Sequence, residues 1–284
     1  MEKGKALAVW GFGLLIILGA FMIFVDAGWP GKEDDCIHGD KENPDTCYCE
    51  EFKKDDVLKG KPGVRQWVNT WSNLYSLLTA LIVAGMLTRG RSLKNPEDVR
   101  NIISSNSWIA DLYVFAVLFL GLGSMWFHAS LTHWGGLLDG MSMYVYASFL
   151  VFYTLRRFYD SDIVFWLGYL CSVLFFTLLH CIGMPSFVSL GMLVTAYMTL
   201  EIYIWWRTGK ILLGKTAPIL YWIFALLSFA TATFFQISSQ TGGFLCNPKS
   251  GFQPHGLLWH PLAGVMAVLL YFYWREADDV KDLK

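Results

Sequence analysis

The amino-acid sequence predicts an all-α polytopic membrane protein. Of its 284 residues, 55% are hydrophobic and only 16% are charged, which is too little charge for the surface of a soluble protein of this length. The apolar residues form long runs without amphipathic alternation, and a run of about 18 or more is a candidate membrane span. Eight such runs are present, at about 6–25, 67–87, 108–128, 136–156, 163–181, 185–206, 217–238 and 256–274.

The N-terminal run is interpreted as a membrane anchor. Lys3 and Lys5 precede the apolar residues 6–25, and this run is longer than the roughly 7–15 residues of a signal-peptide hydrophobic region. A retained signal-anchor helix over 1–25 is predicted, with a cleaved signal peptide as the alternative. Residues 26–66 then form an acidic, cysteine-containing outer loop, 67–275 the membrane domain and 276–284 a cytoplasmic tail.

Lysine and arginine residues predict the orientation of the chain in the membrane. With the N-terminus inside, 14 of the 22 Lys and Arg residues fall on the inner side and 8 on the outer side. Both termini are therefore predicted to be cytosolic. Four cysteines then lie on the outer side, where disulfides persist, and they allow three pairings: Cys36, Cys47, Cys49 and Cys246. The net charge of −1 gives no indication of a nucleic-acid partner.

Polar residues, which are costly inside a bilayer, occur together at one predicted depth, toward the outer side. The third run ends on that side, and the second, fourth and eighth runs begin there. The residues that these four ends bring to the same depth are Asn69, Ser72, Asn73, Ser124, His128, Asp139, His255 and His260.

This set of side chains is suited to a catalytic zinc ion, for which three histidines are sufficient protein ligands and leave a fourth position for water. Ser124 and His128 are four residues apart and share one helix face. Asp139 is expected to orient a ligand, to bind the metal through water, or to accept a proton from a water whose pKa zinc lowers to about 7. Ser124 could donate a hydrogen bond to the oxyanion that forms when an amide or ester carbonyl is attacked.

Several other polar residues have two interpretations. His180, near the outer end of the fifth run, either lines the site or is an interfacial residue. Glu201 lies near the inner end of its run and near Arg207, so local pairing or snorkelling is expected. The polar residues of the second run either line the site or hydrogen-bond neighbouring helices: Asn69, Ser72 and Asn73.

At these positions the sequence resembles the CREST superfamily of membrane hydrolases and receptors, and most closely its alkaline ceramidase branch. The family pattern has a Ser four residues before a His, an Asp eleven residues after that His, and paired histidines at the start of the last span. Ser124, His128 and Asp139 have that spacing. The resemblance covers about residues 47–275 and implies a seven-transmembrane core, with the first run outside it. The similar segments, in order, are Asn69 to Leu74, Gly123 to Leu131, Leu137 to Asp139, Cys246, and His255 to His260.

The resemblance also implies roles for individual residues. In that family three histidines bind zinc, so it implies zinc on His128, His255 and His260, with Ser124 and Asp139 in the mechanism. The family has a disulfide between an N-terminal cysteine and one before the last span. This implies a Cys49–Cys246 bridge, with Cys36–Cys47 as a possible second one.

The spacing of the last two histidines departs from the family pattern. The family has them four residues apart, whereas His255 and His260 are five apart, which in a regular helix separates their side chains by about 140°. Pro261 favours a helix that starts near His260. His255 then either precedes that helix or is accommodated by a π-bulge.

A second departure concerns calcium, which alkaline ceramidases bind through acidic side chains in the loop before the first core span and just inside that span. Glu50 could supply one ligand, but Cys47 and Gln66 stand at or near positions where the family has acids. Zinc is therefore the expected cofactor, and calcium binding at Glu50 stays open.

Together these features predict a zinc-dependent intramembrane lipid hydrolase, ceramidase-like, that cleaves the N-acyl amide of ceramide-type lipids to a fatty acid and a sphingoid base. One alternative is a hydrolase of another acyl lipid, an ester or a phospholipid. A second is a seven-span receptor-like protein with a structural zinc ion. A third is a transporter or scaffold without a metal.

Overall fold

The computed structural model describes residues 2–38, 46–93, 103, 108–208 and 216–276, and in this part of the chain it is almost entirely helical. A 3₁₀ turn lies at Asp35–His38 and a π-helical turn at His255–Trp259. The other elements are α1 (Glu2–Ala27), β1 (Thr46–Cys47), β2 (Glu50–Glu51), α2 (Lys54–Leu58), α3 (Trp67–Ser72), α4 (Leu74–Leu93), α5 (Trp108–Ser130), α6 (His133–Tyr159), α7 (Asp162–Cys181), α8 (Ser186–Thr208), α9 (Thr216–Ser238) and α10 (His260–Glu276).

Seven helical segments of the described chain are long and apolar enough to cross a membrane, which confirms the predicted seven-span core. The first of them joins α3 and α4, and the last joins the π-helical turn and α10. The helix α1 precedes this core, and Gly13–Ala27 is an apolar segment within it. Apolar side chains of α7 such as Leu167 and Leu174 are exposed, as expected for a surface in contact with lipid. The chain is therefore a multi-pass integral membrane protein.

A tight turn between α5 and α6 brings their polar ends together. Only Leu131 and Thr132 separate the two helices, and Leu131 has a positive φ of 51°. The Thr132 side chain caps α6 by accepting a hydrogen bond from the Gly135 backbone N–H at 3.2 Å. This turn places the end of α5 beside the start of α6.

The helices pack so that four polar segments meet at one end of the bundle. Helix α5 packs against α4 and α6, helix α6 also contacts α7 and α8, and α10 packs against α9 and α4. Helix α3 contacts both α5 and the π-helical turn. We call the end formed by α3, the end of α5, the start of α6 and the π-helical turn the site end.

At the opposite end of the bundle, a buried ion pair corrects the expectation for Glu201. Glu201 is fully buried and pairs with Arg157 at 3.0 Å, rather than with Arg207 or with solvent. Its two carboxylate oxygens also accept hydrogen bonds from Thr154 at 2.7 Å and from Tyr273 at 2.6 Å. A charge in a dry interior requires such partners, and these three come from α6 and α10, distant in sequence from α8.

Two disulfides and an aromatic cluster hold the N-terminal segment to the site end. The disulfides are Cys36–Cys47 and Cys49–Cys246, and the second joins the β1–β2 hairpin to the loop before the last span. The aromatic cluster packs α1 and the segment after it against α3 and α5, through Phe21, Trp29, Trp71 and Trp126.

Candidate metal centre

Three buried histidines meet at the site end. His128 lies at the end of α5, His255 opens the π-helical turn and His260 opens α10. One ring nitrogen from each lies within 4.8 Å of the other two, and the Nε2 atoms of His128 and His255 are 3.2 Å apart. All three side chains are at most 3% exposed. We call these residues the histidine triad.

The π-helical turn explains how His255 and His260 meet despite their five-residue spacing. The backbone N–H of His260 bonds to the carbonyl of His255, which closes an i to i+5 turn in place of the i to i+4 turn of an α-helix. The wider turn places the two ring centroids 4.8 Å apart. The structure thus has the π-bulge, one of the two arrangements that the sequence predicts.

Gln66 orients the His128 ring. Its Nε2 donates to the backbone carbonyls of Glu50, at 3.0 Å, and Cys47, so its Oε1 must be the atom 2.6 Å from His128 Nδ1. An amide oxygen only accepts, and therefore His128 carries its proton on Nδ1. The lone pair of His128 Nε2 is then free to face the centre of the triad.

Ser72 has the same effect on His260. The Ser72 hydroxyl donates to the backbone carbonyl of Asn69 at 3.1 Å, so it accepts from His260 Nδ1 at 2.8 Å. This leaves His260 Nε2 as the unprotonated nitrogen, 3.5 Å from Ser124 Oγ. His255 Nδ1 is buried and has no hydrogen-bond partner among the described residues.

The residues present fit a zinc ion. Catalytic zinc sites commonly have three protein ligands, and neutral imidazole nitrogens suit this metal. Two of the three rings hold their outer nitrogen in a hydrogen bond that directs the other nitrogen inward, which is the usual support of a metal-binding histidine. In the described part of the chain, no other set of three His, Cys, Asp or Glu side chains has metal-binding geometry.

The predicted polar partners Ser124 and Asp139 lie beside the triad. Ser124 is buried, one helical turn before His128 on the same face of α5. The Asp139 carboxylate, from the second turn of α6, interacts with the Ser124 hydroxyl. Both groups are therefore within reach of a molecule that binds at the triad.

The predicted lining residues have different positions. Ser72 contacts the triad directly through His260. Asn69 and Asn73 are buried in α3 and its end, where Asn73 Nδ2 donates to the Asn69 carbonyl at 2.7 Å. His180 lies at the end of α7 and hydrogen-bonds to Ser186 at 3.2 Å. Ser72 therefore lies at the triad, whereas His180 is hydrogen-bonded to a residue of α8.

Glu50 caps helix α3. Its two carboxylate oxygens accept hydrogen bonds from the backbone N–H groups of Val68, at 2.7 Å, and Asn69, at 2.8 Å. Burial raises the pKa of this carboxyl, and the backbone hydrogen bonds oppose that rise. These bonds give both carboxylate oxygens a structural partner. Calcium binding at Glu50 stays a prediction.

Two residues outside the predicted site also contact the triad. Gln66 departs from the family's calcium pattern, and nothing in its sequence context indicates a bond to His128. Tyr48 lies against both His128 and His255. One signal was available for it: it stands between Cys47 and Cys49, so any disulfide to the last loop brings it to the site.

A comparison with protein families supports the resemblance found in the sequence. The ceramidase family model matches residues 61–280, a segment that includes all seven spans, the histidine triad, Ser124 and Asp139. A search of curated proteins finds no match. Because the matched segment makes up well over half of the sequence, the chain belongs to the ceramidase family.

Proposed function

We propose that this protein is a zinc-dependent lipid hydrolase that acts within the membrane and cleaves the N-acyl amide of ceramide-type lipids. The products are a fatty acid and a sphingoid base. The observation that carries this proposal is the convergence of three buried imidazoles on one point, with the Ser124 hydroxyl and the Asp139 carboxylate beside it.

His128, His255 and His260 would hold the zinc ion. When bound, zinc supplies Lewis-acid chemistry, since it polarises a carbonyl oxygen and makes a water molecule more acidic. Gln66 and Ser72 keep two of the rings in the tautomer and orientation that metal binding requires.

Asp139 and Ser124 have complementary roles in amide cleavage. The Asp139 carboxylate accepts a proton from the attacking water and then delivers it to the amide nitrogen as the carbon–nitrogen bond breaks. The Ser124 hydroxyl donates a hydrogen bond to the carbonyl oxygen as that oxygen gains negative charge. Loss of either side chain should lower turnover and leave more of the zinc in place than loss of a histidine.

A small apolar cavity lies inside the bundle, close to the reacting groups. Its volume is about 40 Å³, below the roughly 300–1,000 Å³ of small-molecule sites, so an acyl tail that enters the bundle here must displace lining side chains. Leu120 lies one turn before Ser124, and Met143 lies one turn after Asp139, so the cavity is about one helical turn from both reacting groups. Its other lining residues are Tyr146, Ala147, Leu150, Leu190, Val194, Phe229, Trp259, Ala263 and Met266.

The test compares two histidine variants of the full chain, purified in mild detergent without chelator or histidine tag. His128→Ala removes a triad member, and His133→Ala removes an exposed histidine of the neighbouring turn. Metal content and fatty-acid release from N-acyl sphingosine are measured for both and for the wild type. We expect about one zinc per chain and activity in the wild type and in His133→Ala, and loss of both in His128→Ala.

Full zinc and full activity in His128→Ala would show that the triad is not the site. No zinc in the wild type would contradict the hydrolase mechanism altogether. A matched acyl ester in the same assay separates an amidase from an esterase that uses the same residues.

A further inference from the structure

The β1–β2 hairpin holds its tip residue, Tyr48, in an unusual backbone conformation. Tyr48 and Cys49 form the two-residue turn, and both have positive φ, 50° and 67°. Such turns favour Asn and Gly, because other residues are strained there. Strain of this kind persists only where the surroundings enforce it, and it is frequent at functional sites.

The surroundings of the hairpin enforce this conformation from both sides. Cys47 is bonded to Cys36 and Cys49 to Cys246, so each neighbour of Tyr48 is in a disulfide. The Gln66 amide that orients His128 also donates to the Cys47 carbonyl. The hairpin tip is thereby fixed relative to the histidine triad.

The Tyr48 ring covers the triad. Its centroid lies 4.7 Å from that of His255 and 5.4 Å from that of His128. Both histidines are buried beneath it, whereas Tyr48 itself is partly exposed. Tyr48 therefore lies over these two histidines and is the more exposed residue of the three.

The Tyr48 hydroxyl lies among acidic groups. These groups are the carboxylates of Asp139 and Asp34. A phenol keeps its proton at neutral pH, so this hydroxyl can donate a hydrogen bond. Asp34 is held beside α6 by a bond from its backbone N–H to the Leu131 carbonyl, at 3.0 Å. An ideal Cβ atom added to Gly136 would lie 2.6 Å from Asp34 Oδ2, so this carboxylate reaches the first turns of α6.

The position of Tyr48 relative to the apolar cavity indicates which part of a lipid it meets. The cavity lies deeper in the bundle, where its lining residues Leu120 and Met143 are each one helical turn from Ser124 or Asp139. Tyr48 lies on the other side of the triad, at the end of the bundle. A lipid whose amide lies beside Ser124 and whose acyl tail points into the bundle, toward this cavity, therefore directs its headgroup toward Tyr48.

We propose that Tyr48 is a substrate-binding and specificity-determining residue, whose hydroxyl donates a hydrogen bond to a hydroxyl-bearing headgroup and whose ring closes the site to larger ones. The carboxylates of Asp34 and Asp139 beside it repel a phosphate in the same place. Hydroxyl-headed N-acyl lipids are thus selected over phosphorylated ones. This inference rests on the proposed function, because it assumes that the acyl lipid is the substrate.

The test uses Tyr48→Phe, which removes the hydroxyl and keeps the ring, in the zinc-loaded full chain. The two substrates are N-acyl sphingosine and its 1-phosphate with the same acyl chain. A neutral hydrogen bond contributes about 1 kcal/mol, or roughly fivefold in an equilibrium constant. We expect KM for N-acyl sphingosine to rise about fivefold, with kcat within about twofold and zinc content unchanged.

Tyr48→Ala removes the ring as well. It should raise kcat/KM for the phosphorylated lipid, relative to kcat/KM for N-acyl sphingosine, more than Tyr48→Phe does. Tyr203→Phe, an exposed tyrosine on α8 distant from the triad, is the matched control and should behave as the wild type. An unchanged KM and headgroup preference in Tyr48→Phe would overturn the proposal. So would loss of zinc from Tyr48→Phe, since that would indicate a purely structural role.

Binding of free sphingosine to the same proteins separates this proposal from the proposed function. If the wild type cleaves neither lipid, the proposed function is wrong. Roughly fivefold weaker sphingosine binding by Tyr48→Phe would still support the role of Tyr48. Equal binding by both proteins, or binding by neither, would overturn it.

Discussion

Gln66 offers a direct test of how the outer hairpin and the metal centre depend on each other. Gln66→Met keeps the length of the side chain and removes all three of its hydrogen bonds. His128 Nδ1 then loses its acceptor, and the carbonyls of Cys47 and Glu50 lose their donor. All of these groups are buried, so water does not readily replace the missing partner.

The expected magnitudes follow from these three bonds. Loss of the acceptor that supports a metal-binding histidine typically weakens metal binding about 10–100-fold, or roughly 1.4–2.7 kcal/mol. Each unsatisfied carbonyl adds about 1–3 kcal/mol of instability. Gln66→Glu separates the effect on zinc binding from the effect on stability. It keeps an acceptor for His128 and removes the amide donor to both carbonyls. It should retain zinc more tightly than Gln66→Met, with a larger loss of thermal stability, because a carboxylate oxygen then faces the two carbonyl oxygens.

Zinc affinity is measured by competition with a chromophoric chelator, and stability by the thermal unfolding midpoint in detergent. Gln240→Met, an exposed glutamine in the loop after α9, is the control and should change neither quantity. Wild-type zinc affinity in Gln66→Met would refute the reasoning, because His128 would then need no support from Gln66.

Three further predictions concern packing and charge. Gly256→Ala places a Cβ atom 2.8 Å from Asn69 Oδ1 and 3.2 Å from Asn69 Cα, so the buried Asn69 side chain must move, and we expect about 1–3 kcal/mol of destabilisation with reduced zinc content. Glu201→Gln leaves the buried Arg157 without its counter-ion and should cost about 3–5 kcal/mol, seen as a lower unfolding midpoint than in wild type. Burial raises the pKa of Asp34, so the folded state binds more protons just above the usual carboxyl pKa, and stability falls as pH rises there. Asp34→Asn should make this slope smaller in unfolding midpoints recorded against pH, and the remaining slope should come in part from Glu50, whose pKa burial also raises.

The sequence was sufficient to predict the spans and the residues of the triad. Hydropathy marks each span because a helix in lipid must be apolar over its whole length. Counting spans then places His128, Asp139 and His260 at one depth, without any knowledge of how the helices pack. The structure brings these three elements together at the site end.

What the sequence could not supply is the direction in which side chains point around each helix axis. Glu201 was expected to pair locally, and its partner Arg157 lies 44 residues away in the chain. Gln66 and Tyr48 reach the triad through a hairpin whose fold depends on two disulfides, and a six-cysteine sequence does not determine their pairing. These contacts depend on tertiary packing, which hydropathy does not encode.

The π-helical turn has a consequence for how related sequences should be aligned. One residue inserted into a regular helix rotates everything after it by about 100°. Here the extra residue is confined to His255–Trp259, and α10 keeps Tyr273 bonded to Glu201 and Trp274 in the core. An alignment that forces a four-residue histidine spacing onto this chain, without a gap, shifts either His255 or the whole of α10 by one position. The gap belongs inside the turn, between the two histidines.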